Sequence, residues 1–235
     1  MITAGFLVFP GVQLLDVAGP YEILSALPDC DTRLFWKTRE PVACSAGMRF
    51  YPTATLEDGP LVDVLCIPGG IGINPLLLDK DVRAWVQRQA AAAKFVTSVC
   101  TGALLLGVAG LLAGRRATTH WRYHDLLARF GAIPVKERVV QDGNLITGGG
   151  VTAGIDFGLV MVAALRGQAA AEEIQLALEY APKPPFQAGN PEDAPNDILE
   201  VVRCRTGTVR AEREQIIGTW QNHSGTSVGQ IGAKI

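Results

Sequence analysis

The sequence predicts an α/β protein whose centre is an open, mostly parallel sheet with helices on both faces. Two observations lead there. Short apolar runs rich in β-branched and aromatic residues alternate with helix-forming segments, and three of those runs are apolar enough to be buried on both sides. Parallel strands need crossover connections, and crossovers place helices over the sheet. At 235 residues the chain has the size of an ordinary single α/β domain.

Taken in order, Thr3–Phe9, Thr32–Trp36, Val62–Ile67 and Phe95–Val99 read as strands. Pro20–Leu27 reads as a helix, with Pro20 behind Gly19 in the first turn, where a missing N–H is tolerated. Asp79–Ala93 is a second helix, because RAWVQRQAAAA is strongly helix-forming and Asp79 or Asp81 can cap it. After Cys100, the run ALLLGVAGLLAG is apolar on every side, which predicts a helix buried all round with glycines at close contacts. Arg138–Thr147 (RVVQDGNLIT) reads as a hairpin turning at Asp142-Gly143. Two helices follow, Val151–Leu165 and Ala169–Tyr180, and then the proline-rich connection APKPPFQAGNPEDAPN. A helix over about Asp197–Trp220 closes the fold. Residues 1–221 are expected to form one catalytic domain and residues 222–235 a flexible tail. There are no internal repeats.

Composition excludes several functions. The net charge of −2 comes without any run of about five like charges, which argues against a nucleic-acid-binding face. No window of about 18 uninterrupted apolar residues suggests a membrane span, and ITAGFLVFPG after Met1 lacks the basic region and cleavage site of a secretory signal. A cytoplasmic protein is expected. The five cysteines are widely spaced and contain no C-x-x-C pair, which suits neither a disulfide framework nor a zinc knuckle. His120 and His124 have helical i, i+4 spacing, but no third ligand is evident, so no metal is expected.

In an open parallel sheet, chemistry gathers at the carboxyl ends of the strands. Three segments reach that edge here: LLDVAGP with Asp16, CIPGGIG with Gly69 and Gly70, and VCTG with Cys100. Cys100 sits at a strand-to-helix junction, the geometry of a nucleophile elbow, and the following helix would favour thiolate over thiol. An ordinary cysteine pKa of about 8.5 would then fall below neutral. The bland alternative is a small buried cysteine ending a strand. For Asp16, apolar surroundings would raise its pKa and let it carry a proton, the alternative being a turn aspartate bonded to backbone. Gly69 and Gly70 could offer free N–H groups to an anion or could simply form a tight turn.

The segments VTSVCTGALLLGVAGLL, CIPGG, FPGVQLLDVAGP, ATTHWRYH and TGGGVTAGIDFGL resemble the ThiJ/PfpI family of the class I glutamine amidotransferase-like superfamily, in particular its isocyanide-hydrating branch. The resemblance runs from about Gly5 to about Pro191. It implies a flavodoxin-like homodimer with Cys100 as nucleophile, Asp16 as general acid/base and Thr101 positioning groups around the sulfur. It also implies that the Gly70 backbone lies against the reacting carbon and that Val151, where the family carries isoleucine, touches the site through its carbonyl. His120 lies in the segment that supplies a histidine in amidotransferase relatives, so a supporting place near the site is expected for it without a base role.

The residue after the cysteine is Thr101, whereas the protease-like members carry histidine there, and the His–x–Glu pair of the glutaminases is missing. Amide hydrolysis is therefore disfavoured. What the resemblance implies instead is hydration of an isocyanide to an N-substituted formamide through a covalent thioimidate, with no cofactor. Two rivals stand beside it: a cysteine-based redox sensor or stress protein, and a ligand-binding module of an AraC-type regulator. Too few residues follow Pro195 for a DNA-binding domain, and no basic recognition helix is present.

Overall fold

The computed structural model describes residues 1–224. In chain order the elements are β1 (Ile2–Leu7), α1 (Leu14–Ser25), β2 (Cys30–Trp36), β3 (Val42–Ala43), β4 (Arg49–Phe50), β5 (Ala54–Thr55), β6 (Val64–Ile67), α2 (Ile73–Leu76), α3 (Lys80–Ala92), β7 (Phe95–Val99) and α4 (Gly102–Val108). There follow β8 (Arg116–Ala117), a 3₁₀ helix (Trp121–Phe130), β9 (Ile133–Pro134), β10 (Val139–Asp142), β11 (Leu145–Gly148), α5 (Ala153–Arg166), α6 (Gln168–Ala177), α7 (Asn196–Arg205) and α8 (Gly207–Ser224). The first three residues of the expected tail continue α8, and the remainder of 222–235 lies outside the described residues. Among the described residues no helix is long and apolar enough to cross a membrane.

The main sheet has seven strands in the order β10-β11-β7-β6-β1-β2-β5. All neighbours run parallel except the β10–β11 hairpin at one edge. Counting only β1, β2, β6, β7 and β11, the order is the flavodoxin-like 2-1-3-4-5, whose ligand crevice opens where the order reverses, between β1 and β6. The central strands β6 and β7 are almost wholly buried, as a sheet covered on both faces requires. On the α5 side, α1 packs so closely that a Cβ on Gly158 would come within 2.8 Å of Ile23 Cβ.

Four local expectations need correction. Helix α1 begins at Leu14, not Pro20, so Asp16 lies in its first turn. Pro20 sits inside and withholds one i→i−4 bond, a loss that close packing of α1 against α5 offsets. Helix α4 stops at Val108, because Gly110 turns the chain at φ +79°. The hairpin loop is Gly143-Asn144, Asp142 being still paired with Leu145; Gly143 takes φ +57°, and the Asp142 carboxylate accepts from the Arg116 N–H. The last expected helix is two, broken at Thr206-Gly207, where the Thr206 hydroxyl bonds back to the Val202 carbonyl at 2.9 Å.

Helix α3 is capped by Asp79, whose carboxylate accepts from the N–H groups of Asp81 and Val82. Helix α8 packs over the 3₁₀ helix: Trp220 meets Phe130 with ring centroids 5.4 Å apart, and Arg210 pairs with Asp125 at 2.6 Å. That packing carries residues from the far end of the chain to the carboxyl edge of the sheet.

Candidate active site

Cys100 leaves β7 and precedes α4 with φ +55°, in the left-handed region that a residue bearing a Cβ enters only at a cost of about 1–2 kcal/mol. The strain is held from two sides. The Cys100 N–H donates to the Gly148 carbonyl at 3.1 Å, and the Thr119 hydroxyl donates to the Cys100 carbonyl at 2.6 Å. Glycine is required just after it, because a Cβ on Gly102 would lie 2.0 Å from the Ile67 carbonyl oxygen. The elbow expected at VCTG is therefore present, and the sulfur-bearing residue is only 5% exposed.

Asp16 reaches the same point from α1 and is 1% exposed. Its Oδ2 accepts from the Gly69 N–H at 2.9 Å, while Oδ1 is buried without an N–H or O–H donor. The Cys100 thiol also acts on this carboxyl. Gly69 must be glycine for this approach, since a Cβ there would meet the Thr101 nitrogen at 2.5 Å and Asp16 Oδ2 at 2.9 Å. Thr101 completes the ring: its Oγ1 accepts from the Gly70 N–H at 3.0 Å, and Gly70 itself takes φ +134°.

These bonds correct one expectation. The N–H groups of Gly69 and Gly70 are not free for an anion; one holds Asp16 and the other Thr101. The backbone N–H that favours an anionic sulfur is that of Thr101. Val151 presents its carbonyl to the Gly154 N–H at 3.3 Å, in the turn that starts α5.

The electrostatics also differ from the sequence reading. Burial pushes the Asp16 carboxyl up to about 7, against the lowering effect of the Gly69 N–H and of the thiol. For Cys100 burial again dominates and, with the neighbouring Asp16 carboxylate, raises the thiol well above its ordinary value. The Thr101 N–H and the positive charge of Arg213 act the other way. A thiolate below neutral was expected from the dipole of the following helix, but α4 is only seven residues long and the site is dry. Burial and their mutual repulsion thus both disfavour ionising Cys100 and Asp16 together.

His120 caps the 3₁₀ helix, its Nδ1 accepting from the Arg122 N–H at 3.2 Å. Burial first, then the charges of Arg213 and Arg122, lower its pKa to about 4, so the ring is neutral. As a cap residue with ψ 133° it does not share a helical face with His124. Two further residues escaped the sequence reading, Thr119 and Arg213. A cavity of about 720 Å³ opens beside the site and is lined by Thr119, His120, Gly150 and Val151 among others; Cys100 and Asp16 do not line it.

This geometry has counterparts among known proteins. The isonitrile hydratase of Pseudomonas putida is 54% identical over 212 residues, covering 90% of this chain and 93% of its own. A crystal structure of a ThiJ/PfpI family protein from Pseudomonas syringae superposes with a TM-score of 0.90 at 42% identity, over 92% of this chain and 90% of that one. A DJ-1 superfamily protein from Salmonella typhimurium gives a TM-score of 0.69 at 30% identity, over 78% and 100%. The match with the first exceeds in length the stretch from Gly5 to Pro191 where the resemblance was legible. The model of the DJ-1/PfpI family matches residues 3–164, and with the elbow at Cys100 inside that stretch the chain belongs to the DJ-1/PfpI family.

Proposed function

We propose that the protein hydrates isocyanides to N-substituted formamides, with Cys100 as nucleophile and Asp16 as general acid/base. The observation that carries this reading is the buried pair itself, a thiol against a carboxyl whose pKa stands near 7. An isocyanide carbon needs a nucleophile and a proton on the same atom, and this pair holds both.

One proton shared by the pair starts the reaction. Asp16 passes it to the terminal carbon of the isocyanide as the sulfur bonds to that carbon, giving the thioimidate R–N=CH–S–Cys100 and leaving Asp16 ionised. The carboxylate then takes a proton from water as the water oxygen adds to the carbon, and hands it to the nitrogen. When the C–S bond breaks, the hydroxyl proton returns to the pair and R–NH–CHO departs. The sum is addition of water without change of oxidation level, so the steps need no redox group, nucleotide or metal. In this scheme Thr101 steadies the Gly69-Gly70 turn that holds Asp16, and Val151 and His120 border the cavity beside the elbow.

The first test is direct. Purified protein incubated with a simple aryl or alkyl isocyanide is expected to yield the formamide, followed by absorbance or NMR; no product above the uncatalysed background would overturn the reading. A redox-sensing role is less well supported, because sensor cysteines combine exposure with a low pKa and Cys100 has neither.

The same reading takes residues 1–221 as one catalytic domain, working in the cytoplasm as a homodimer. Support for a second copy comes from α7, which has no fully buried residue and exposes Ile198 and Val201. Sedimentation or light scattering is expected to give twice the 25.0 kDa of one chain, and a mass near 25.0 kDa would contradict the dimer.

A further inference from the structure

Arg213 is carried by α8, beyond the residues that match the family model, and is 2% exposed. Burying a guanidinium costs several kcal/mol unless an opposite charge balances it. Among the described residues no carboxylate lies within ion-pair distance of Arg213. Its partners are neutral groups: Nε donates to Asn74 Oδ1 at 2.7 Å, Nη2 donates to the Gly70 carbonyl at 3.3 Å, and the guanidinium carbon stands 4.1 Å from the centroid of the Tyr123 ring. The adjacent Glu212 turns instead to Asn74 Nδ2 at 3.0 Å. A full positive charge is therefore held in the site without direct contact to a carboxylate, Glu212 acting on it only from the far side of Asn74.

The Gly70 peptide links that charge to the chemistry. Its carbonyl accepts from Arg213 and its N–H donates to Thr101, while the preceding N–H, of Gly69, fixes Asp16. Cys100 and Arg213 also feel each other electrostatically, each favouring the other's charged form.

We infer that Arg213 is a positioning residue of the reaction: its buried cation is the counter-charge of the Cys100 sulfur when that sulfur is anionic, and its fork fixes the Gly70 peptide against Thr101. This rests on the reading of Cys100 as nucleophile. When Asp16 takes the pair's proton, the negative charge moves onto sulfur, and Arg213 makes that arrangement accessible in a dry site. The same cation stabilises the thiolate as it leaves the tetrahedral adduct.

The test follows alkylation of Cys100 by iodoacetamide from pH 6 to 10, resolved by peptide mass spectrometry so that Cys204 and Cys30 do not interfere. The charged groups bearing on the sulfur are Asp16 from α1 and Arg213 from α8, while His120 stays neutral over this range. Arg213→Met is expected to slow alkylation at pH 7 by about tenfold, equivalent to one pH unit in the thiol. Its kcat for hydration should fall at least tenfold, roughly, with KM little changed. Arg213→Lys should recover most of the alkylation rate but not kcat, since it keeps the charge and loses the fork. Asn74→Asp sets a carboxylate against Nε and should slow alkylation as the methionine variant does, with the guanidinium in place. An unchanged alkylation profile in folded Arg213→Met, or in Asn74→Asp should the methionine variant not fold, overturns the inference. Wild-type protein that makes no formamide would sink the hydratase reading alone, because the alkylation profile reads Arg213 independently of turnover.

Discussion

Cys100→Ala is expected to reduce formamide production to the uncatalysed background, a loss on the order of 10⁶-fold, the scale that follows removal of a covalent nucleophile. No other cysteine can substitute. Cys66 is fully enclosed in β6, where burial pushes its thiol up to about 12, and it accepts from the Thr97 hydroxyl. Cys30 is pushed up to about 11 by burial and by the neighbouring Asp29 and Asp31. Cys44 is buried in the turn where its N–H donates to the Met48 carbonyl, and Cys204 is exposed on α7. Replacing Cys30, Cys44 or Cys204 with serine, or Cys66 with alanine, should leave turnover within about threefold, and the four proteins together form the control for the one variant that matters. Alanine at position 100 keeps a Cβ in the same left-handed backbone, so the fold should survive with little change in Tm. Turnover retained by a folded Cys100→Ala protein would remove the nucleophile from the mechanism.

Asp16→Asn should lower turnover by roughly 10²–10⁴-fold, the range for loss of a general acid/base, because the amide keeps the shape and neither gives nor takes the proton. Alkylation of Cys100 at neutral pH should be preserved or accelerated, since the Asp16 charge is one of the causes that raise the thiol. The variant should also be more stable than wild type at pH 7 and above. The sign follows from linkage. An acid whose folded pKa, about 7, exceeds its unfolded value of 3.8 binds its proton more tightly when folded, so stability falls as pH rises between those values. At about 1.4 kcal/mol per pH unit, Asp16 costs the wild type up to roughly 4 kcal/mol at pH 7. The Tm gap between variant and wild type is expected to close as pH falls toward 4. Near-normal hydration by Asp16→Asn would refute the acid/base role.

The sheet and the elbow were legible because they depend on local pattern. Phe95–Val99 is a β-branched-rich strand, and Gly102 two residues after Cys100 admits the tight exit that the backbone takes. Asp16 was legible as a residue but not as part of a helix, because Pro20 looks like a first-turn residue when the packing of α1 on α5 is unknown. The free N–H groups expected at Gly69 and Gly70 are engaged by partners 53 and 31 residues away, which no local pattern shows. The direction of the Cys100 shift was misjudged for a related reason. A strand-to-helix junction announces a dipole, whereas the depth of burial depends on what the rest of the chain lays over it. Arg213 was invisible: in RAEREQ it is one arginine among charged residues on an ordinary polar helix, and its Asn74 partner lies 139 residues earlier.

The mostly exposed stretch 181–195, which separates α6 from α7, gives the site a history within the life of each molecule. A ribosome delivering about 5–20 residues per second finishes the sheet and α5 well before it reaches α8. For those few seconds the nascent chain can hold Cys100 beside Asp16 with no cation behind Gly70. On the role inferred for Arg213, the counter-charge of the sulfur arrives only when the last described helix docks, so the complete electrostatic setting of the site is the last part of the described chain to form.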